Sequence, residues 1–174
     1  MQASFLLVSL LPVLLIAAAI FDLTSFTIPN ILPGAMLVLF VAFLLAMALS
    51  GHAVRWSEIS HHFLAGGAGL LFGMGLFAFG LVGGGDAKLF AMASLWLGWD
   101  AMFEYMIFAS LAGGALTFAL LALRRFPLPP MLVKLPWMLR LADPQSGVPY
   151  GVALAAGALA VLPGTELFRL AMAG

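Results

Sequence analysis

The 174-residue chain contains no cysteine and few charged residues. The absence of cysteine excludes disulfide bonds, thiolate metal ligands and cysteine nucleophiles. Only 8% of the residues are charged, whereas an ordinary soluble domain carries about 25%. The seven basic residues balance the seven acidic ones, and no basic run is long enough to indicate nucleic-acid binding. A water-soluble globular protein is therefore excluded.

Apolar residues make up 64% of the sequence and give a mean hydropathy of +1.17. This composition indicates an all-α integral membrane protein. Six apolar runs predict a single-domain bundle of about six transmembrane helices with a short fourth helix. A proline–glycine pair, Pro163-Gly164, is expected to break the last run. The runs cover about residues 4–22, 32–50, 61–81, 87–98, 101–123 and 149–171.

Basic residues predict the orientation of the bundle. Six spans place segments 22–30, 82–88 and 124–148 on one side, and these segments hold five of the seven basic residues. Basic residues accumulate in cytoplasmic loops, so this side is predicted to be cytoplasmic and both termini to lie outside. Segment 126–141, which is rich in proline and leucine, is expected to form an interfacial amphipathic connector before the last helix.

Two aspartates, Asp22 and Asp86, fall on this predicted cytoplasmic side, at the ends of the first and fourth helices. Carboxylates at membrane depth are costly and are therefore functional candidates. Two carboxylates brought close cannot easily both ionise, so one keeps its proton while the other acts as a base. Such a pair can activate a water for attack on a peptide carbonyl, which is aspartyl-protease chemistry.

Three glycines, Gly83, Gly84 and Gly85, directly precede Asp86. They are predicted to allow close approach of a substrate backbone or positive-φ conformations. Asp86 itself is expected at the N-cap of the fourth helix, and a purely structural cap after a tight turn is the alternative reading. Lys88 is expected to pair with an acid or to extend to lipid headgroups.

The order of these motifs resembles the type IV prepilin peptidases, a family of GxGD intramembrane aspartyl proteases. The resemblance rests on Asp22, on Ile28-Pro29-Asn30, on Gly83-Gly84-Gly85-Asp86-Ala87-Lys88, and on Val148-Pro149-Tyr150-Gly151. It covers essentially the whole chain. It implies that residues 1–174 form one membrane peptidase domain that needs no metal and no cofactor.

The family resemblance also implies a substrate and residue roles. Family members remove a short basic leader from prepilin-like precursors at the cytoplasmic face of the bacterial inner membrane. Asp22 and Asp86 match the catalytic pair. The residues expected to bind substrate or shape the site are Pro29, Asn30, Gly83, Gly84, Gly85, Lys88, Pro149, Tyr150 and Gly151. Besides the precursors, membrane lipid and pilus assembly components are the expected partners.

Larger family members carry a cysteine-containing insertion after the first helix and also methylate the new N-terminus. The sequence has neither cysteine nor insertion, so N-methyltransferase activity is expected to be absent. This short form is most similar to the peptidases of tight-adherence (Flp) pilus systems, and archaeal preflagellin peptidases are a related short type.

Other chemistries find less support in the sequence. It contains no Gly-x-Ser-x-Gly and no His-Glu-x-x-His motif, which leaves serine nucleophiles and zinc proteases of these types without support. His52, His61 and His62 are expected to be interfacial residues on the outer side, and Asp100 and Glu104 to mark a solvated helix start. A small carrier that uses Asp22 and Asp86 as protonatable sites, or a purely structural membrane subunit, is the alternative function.

Overall fold

The computed structural model describes residues 2–50 and 55–173, and no β-strand occurs among them. The all-α fold expected from the sequence is therefore confirmed. A 3₁₀ turn, Leu162–Gly164, separates the last two helices. The α-helices of the described residues are α1 (Gln2–Ser25), α2 (Ile31–Leu49), α3 (Trp56–Ala78), α4 (Gly84–Leu97), α5 (Trp99–Leu123), α6 (Pro136–Ala142), α7 (Tyr150–Val161) and α8 (Glu166–Ala173).

Among the described residues, four helices are long and apolar enough to cross a membrane: α1 from Phe5, α2, α3 and α5. Their outer faces carry large exposed apolar side chains, such as Phe103 and Phe118, which a lipid environment accommodates. The fourth and last predicted runs form shorter helices. By length and composition, four of the six predicted runs therefore qualify as spans.

Helix α4 lies at the centre of the bundle and packs against α2, α3, α5 and α7. Ten of its 14 residues are buried. Near its end, the indole Nε1 of Trp96 donates a hydrogen bond of 3.0 Å to the backbone oxygen of Met36 on α2. The ring of Phe40 packs edge-on against the same indole. The short fourth helix expected from the sequence is thus the core of the fold.

Glycines on α3 bring its backbone close to α4. A Cβ placed on Gly66, Gly69 or Gly73 would lie only 2.9–3.0 Å from atoms of Leu95, Ser94 and Ala87, respectively. These three glycines repeat on one face of α3 and form the close contact that small residues permit in membranes. Helices α5 and α7 also approach closely at a glycine, since a Cβ on Gly157 would lie 2.7 Å from the backbone nitrogen of Ala109.

The C-terminal third departs from regular helix at its prolines. Segment 126–135 forms turns, and helix begins only at Pro136, because proline favours the first turn of a helix and disfavours its interior. The last run breaks at Pro163-Gly164, as expected from the sequence. The position of segment 126–141 in the membrane interface stays a prediction.

Gly157→Ala should destabilise the bundle by about 1–3 kcal/mol, because the added methyl overlaps the backbone of α5. Gly75→Ala on α3 is the matched control, since a Cβ there has no neighbour within 4 Å. Thermal unfolding in detergent should show a lower midpoint for Gly157→Ala alone. Equal midpoints for the two variants would contradict the close approach of α5 and α7.

Candidate active site

Asp22 lies in the last turn of α1, and its side chain is only 4% exposed. Its carboxyl lies against Gly151, at the start of α7. Within the part of the chain that the structure describes, no group forms a hydrogen bond of ordinary geometry with its buried Oδ2 atom. Asp22 therefore presents an oxygen that has capacity for a further hydrogen bond.

Asp86 lies in the first turn of α4 and is 9% exposed. Its Oδ2 atom accepts a hydrogen bond of 3.1 Å from the backbone N–H of Gly83. The expected N-cap position was wrong: Gly83 is the N-cap, and Asp86 is the third helical residue. Its carboxylate reaches back to the cap, as an acidic residue at this position commonly does. This bond fixes the orientation of one carboxylate oxygen.

Gly151 lies where the surroundings of the two aspartates meet. A Cβ placed on it would lie 2.8 Å from Oδ2 of Asp22 and 2.7 Å from Ile28, which also lies against Gly85, the residue before Asp86. The N-terminus of α7 carries partial positive charge and favours negative charge nearby. The structure thus brings both aspartates and the Pro149-Tyr150-Gly151 motif to one end of the bundle.

Ile28 is a site residue that the sequence-based candidates omitted. It is buried in the loop after α1. A Cβ placed on Gly151 would lie 2.7 Å from Cδ1 of Ile28. A Cβ placed on Gly85 would lie 3.1 Å from Cβ of Ile28. Ile28 therefore wedges between the starts of α4 and α7. The Ile-Pro-Asn motif was the signal that could have identified it.

The structure tests one of the two predictions made for the glycine run, positive φ angles, while close approach of a substrate backbone stays a prediction. Among the described residues, positive φ angles in glycine occur at Gly80 and Gly98, and none occurs at Gly83, Gly84 or Gly85. The predicted positive-φ turn at these three residues was therefore wrong. Gly85 instead makes room for Ile28, and Gly84 lies against the ring of Phe77. The lack of side chains at these two glycines lets Ile28 and Phe77 pack close to the backbone next to Asp86.

Lys88 donates a hydrogen bond of 2.8 Å from Nζ to Oδ1 of Asn30. This bond ties the loop after α1 to α4 across the exposed rim of the site, next to Pro29. Of the two roles predicted for Lys88, pairing with an acid was wrong, because its Nζ bonds to the Asn30 amide and no ion pair in the described segments includes it; extension to lipid headgroups stays a prediction. Lys88 is exposed at the same end of the bundle as the aspartates.

Arg124, at the end of α5, holds the loop that leads into α7. Its guanidinium donates hydrogen bonds of 2.9, 3.0 and 2.9 Å to the backbone oxygens of Leu141, Ser146 and Gly147. Pro149, which follows this loop, is fully buried. Arg124 thus fixes the approach of the chain to Gly151. Sequence reasoning used Arg124 only as a topology marker.

An apolar groove opens beside Asp86 and has a volume of about 440 Å³. It runs between α3 and α5, over α4 and the start of α7. Tyr150 and Asp86 both line the groove, whereas Asp22 is not among its lining residues. One of the two carboxyls is thus reached directly from the groove.

The opposite end of the bundle holds another cavity, which is polar and is lined by His61, His62, Asp100 and Glu104 among others. His62 was expected at the interface, but it is buried, and its Nδ1 atom lies 2.9 Å from the backbone oxygen of Leu95. His52 lies outside the described residues. No group of three or more His, Asp or Glu residues in the described ranges is arranged to hold a metal ion.

Arg124→Ala should loosen the loop before α7, because three backbone carbonyls lose their shared donor. Hydrogen–deuterium exchange of residues 143–152 should become faster, with little change in α2 or α3. Arg125→Ala is the matched control, since Arg125 is exposed and its neighbour makes the three bonds. Equal exchange in the two variants would contradict a positioning role for Arg124.

Comparison with known protein families adds one finding. A family model described as the type IV leader peptidase family matches residues 9–118, which is more than half of the chain. The match contains both aspartates, the Ile-Pro-Asn motif and the glycine run, and it ends before Pro149-Tyr150-Gly151. No curated protein and no solved structure matches the chain.

Proposed function

The chain belongs to the type IV leader peptidase family, and on this basis we propose that it is an aspartyl endopeptidase that removes the short basic leader of prepilin-like precursors. Family membership makes it a peptidase with precursors of this kind as substrates. The aspartic mechanism is the proposed step. The observation that carries it is the meeting of two buried carboxyls at one end of the bundle: Asp22 lies against Gly151, and Ile28 lies against both Gly151 and Gly85, the residue before Asp86.

In this proposal a water binds between the two carboxyls. The ionised carboxylate accepts a proton from the water while the water oxygen attacks the scissile carbonyl carbon. The protonated partner donates a hydrogen bond to the developing oxyanion. The C–N bond then breaks, and the leaving nitrogen takes up the proton that the first carboxylate had accepted from the water. The free Oδ2 atom of Asp22 and the fixed Oδ2 atom of Asp86 suit these two complementary tasks.

The proposed cutting site faces the cytoplasm. Lys88 lies in the first turn and a half of α4, and Arg124 follows α5, so both mark the end of the bundle that holds the two aspartates. The positive-inside rule assigns this end to the cytoplasm, which leaves both termini outside. The inner membrane of a bacterium is the proposed location, with lipid as the surrounding medium.

The short connection between α1 and α2 supports the proposal of a peptidase without methyltransferase activity. It spans only residues 26–30, which leaves no room for the insertion of larger family members. Correspondingly, we propose that residues 1–174 form a single membrane domain and that the enzyme is of the tight-adherence pilus type. No observation favours the carrier hypothesis, because buried apolar side chains of α4, such as Leu89 and Trp96, separate the aspartates from the polar cavity at the other end.

Asp22→Asn and Asp86→Asn should each abolish cleavage, because each removes one member of a coupled pair. The assay co-expresses the chain with a candidate prepilin and identifies the new N-terminus by mass spectrometry. Asp100→Asn, at the opposite end, is the control and should retain full activity. Near-normal cleavage by either site variant, with correct insertion, would refute the proposed pair.

Gly151→Ala should lower kcat/KM by about tenfold or more, since misplacement of catalytic groups by about 1 Å can cost 10²-fold. The added methyl would lie 2.7–2.8 Å from Ile28 and Asp22, so both must move. Gly147→Ala is the control, because a Cβ there has no neighbour within 4 Å. Normal kcat/KM in a folded Gly151→Ala variant would show that this contact does not set the carboxyl geometry.

A further inference from the structure

The acidic side chains of the chain divide between the two ends of the bundle. All seven of them lie within the described ranges. Four line the polar cavity at the end opposite the candidate active site: Glu58, Asp100, Glu104 and Glu166. Asp22 and Asp86 are buried in the candidate active site. The remaining one, Asp143, directly follows α6 and is exposed in the loop that leads into α7. Among the described residues, it is therefore the single exposed acidic side chain at the active-site end.

The surroundings of Asp143 are basic. The other exposed charged side chains at this end of the bundle are Lys88, Arg125, Lys134 and Arg140. Within the part of the chain that the structure describes, Asp143 nevertheless forms no ion pair. A basic segment that docks here is repelled by the four basic side chains and finds one exposed carboxylate. Charge complementarity therefore favours Asp143 as the counter-ion of such a segment.

Hydrogen bonds hold Asp143 in a fixed orientation. Its Oδ1 atom accepts a hydrogen bond of 2.9 Å from the backbone N–H of Gln145. Arg124 donates to carbonyls on both sides of this turn, at Leu141 and Gly147. In the described ranges, Oδ2 of Asp143 accepts no hydrogen bond and is free to bind a ligand. A carboxylate on a clamped turn can select the position of a ligand's charge as well as its sign.

Asp143 lies within reach of a chain that is bound at the two aspartates. The backbone N–H of Ser146 donates to the backbone oxygen of Asp143, and a turn of this kind keeps the two Cα atoms within about 7 Å. The Cα–Cα steps from Ser146 to Gly151 extend at most about 19 Å. An extended leader advances about 3.3–3.6 Å per residue. Asp143 can therefore contact a leader side chain up to about eight residues before the scissile bond.

We propose that Asp143 binds a basic side chain of the leader and thereby selects precursors that carry a positive charge at one position before the cleavage site. The inference rests on the proposed function. The alternative is that Asp143 only closes the turn after α6. Asp143→Asn separates the two roles, because the asparagine Oδ1 atom can still accept the hydrogen bond from Gln145 while the charge is lost.

Cleavage kinetics in nanodiscs of zwitterionic phosphatidylcholine test this role without competing anionic headgroups. Asp143→Asn should raise KM by about two- to fivefold for a precursor with a basic leader and leave kcat unchanged. With glutamine in place of the basic leader residues, the variant and the wild type should have equal KM. Asp100→Asn, at the opposite end, is the matched control and should behave as the wild type. An equal rise in KM for both precursors would leave Asp143 a purely structural role and overturn the proposal.

Charge reversal tests whether the contact is direct. Asp143→Lys should raise KM further for the basic leader, because like charges then meet. A leader with glutamate in place of its basic residue should restore KM in this variant. A scan that places a single lysine at successive leader positions should find the dependence on Asp143 at one position, within about eight residues of the scissile bond. An equal dependence at all positions, or none at any, would overturn a binding site at Asp143.

A binding measurement separates this inference from the proposed function. The Asp22→Asn variant is titrated with a labelled peptide that contains the basic leader and the first apolar residues, and fluorescence anisotropy gives Kd. Adding Asp143→Asn should weaken binding of this peptide but not of its glutamine counterpart. Cleavage that does not depend on Asp143 would overturn this inference and uphold the proposed function. Charge-dependent binding at Asp143 without any wild-type cleavage would count against the proposed function alone, and failure of both binding and cleavage would overturn both.

Discussion

The packing of Gly151 against Asp22 and Ile28 is the constraint on which the site depends. Three separate parts of the chain meet there: the end of α1 with the loop after it, the start of α4 through Gly85, and the start of α7. A side chain at residue 151 would collide with Asp22 and Ile28. The fold therefore keeps a bare backbone at the point where two costly acidic groups come together.

The remaining features of this end support that contact. Ile28 fills the space between α4 and α7, Lys88 ties the loop after α1 to α4, and Arg124 holds the loop before α7. Each joins segments that are distant in sequence. Since a reacting pair must be held within a fraction of an ångström, such supports are as necessary to the proposed chemistry as the carboxyls themselves.

The sequence predicted the fold class, the short fourth helix and the break at Pro163, because apolar run length and proline act locally. It also placed Asp22 and Asp86 at one end, since the number of spans between them determines this. It did not predict that His62 is buried, because His61 and His62 face directions about 100° apart and only packing decides which points inward. The hydrogen bonds of Arg124 reach carbonyls 17 to 23 residues away, and no local pattern encodes them.

The shortness of α4 has a consequence for the supply of water. Its 14 residues span about 21 Å, whereas the hydrocarbon core of a bilayer is about 30 Å thick. Helix α4 alone is thus shorter than the hydrocarbon core, and Asp86 lies in its first turn. Hydrolysis consumes one water for each bond broken. A central helix that is too short to span leaves room at its end for the aqueous phase to supply that water next to Asp86.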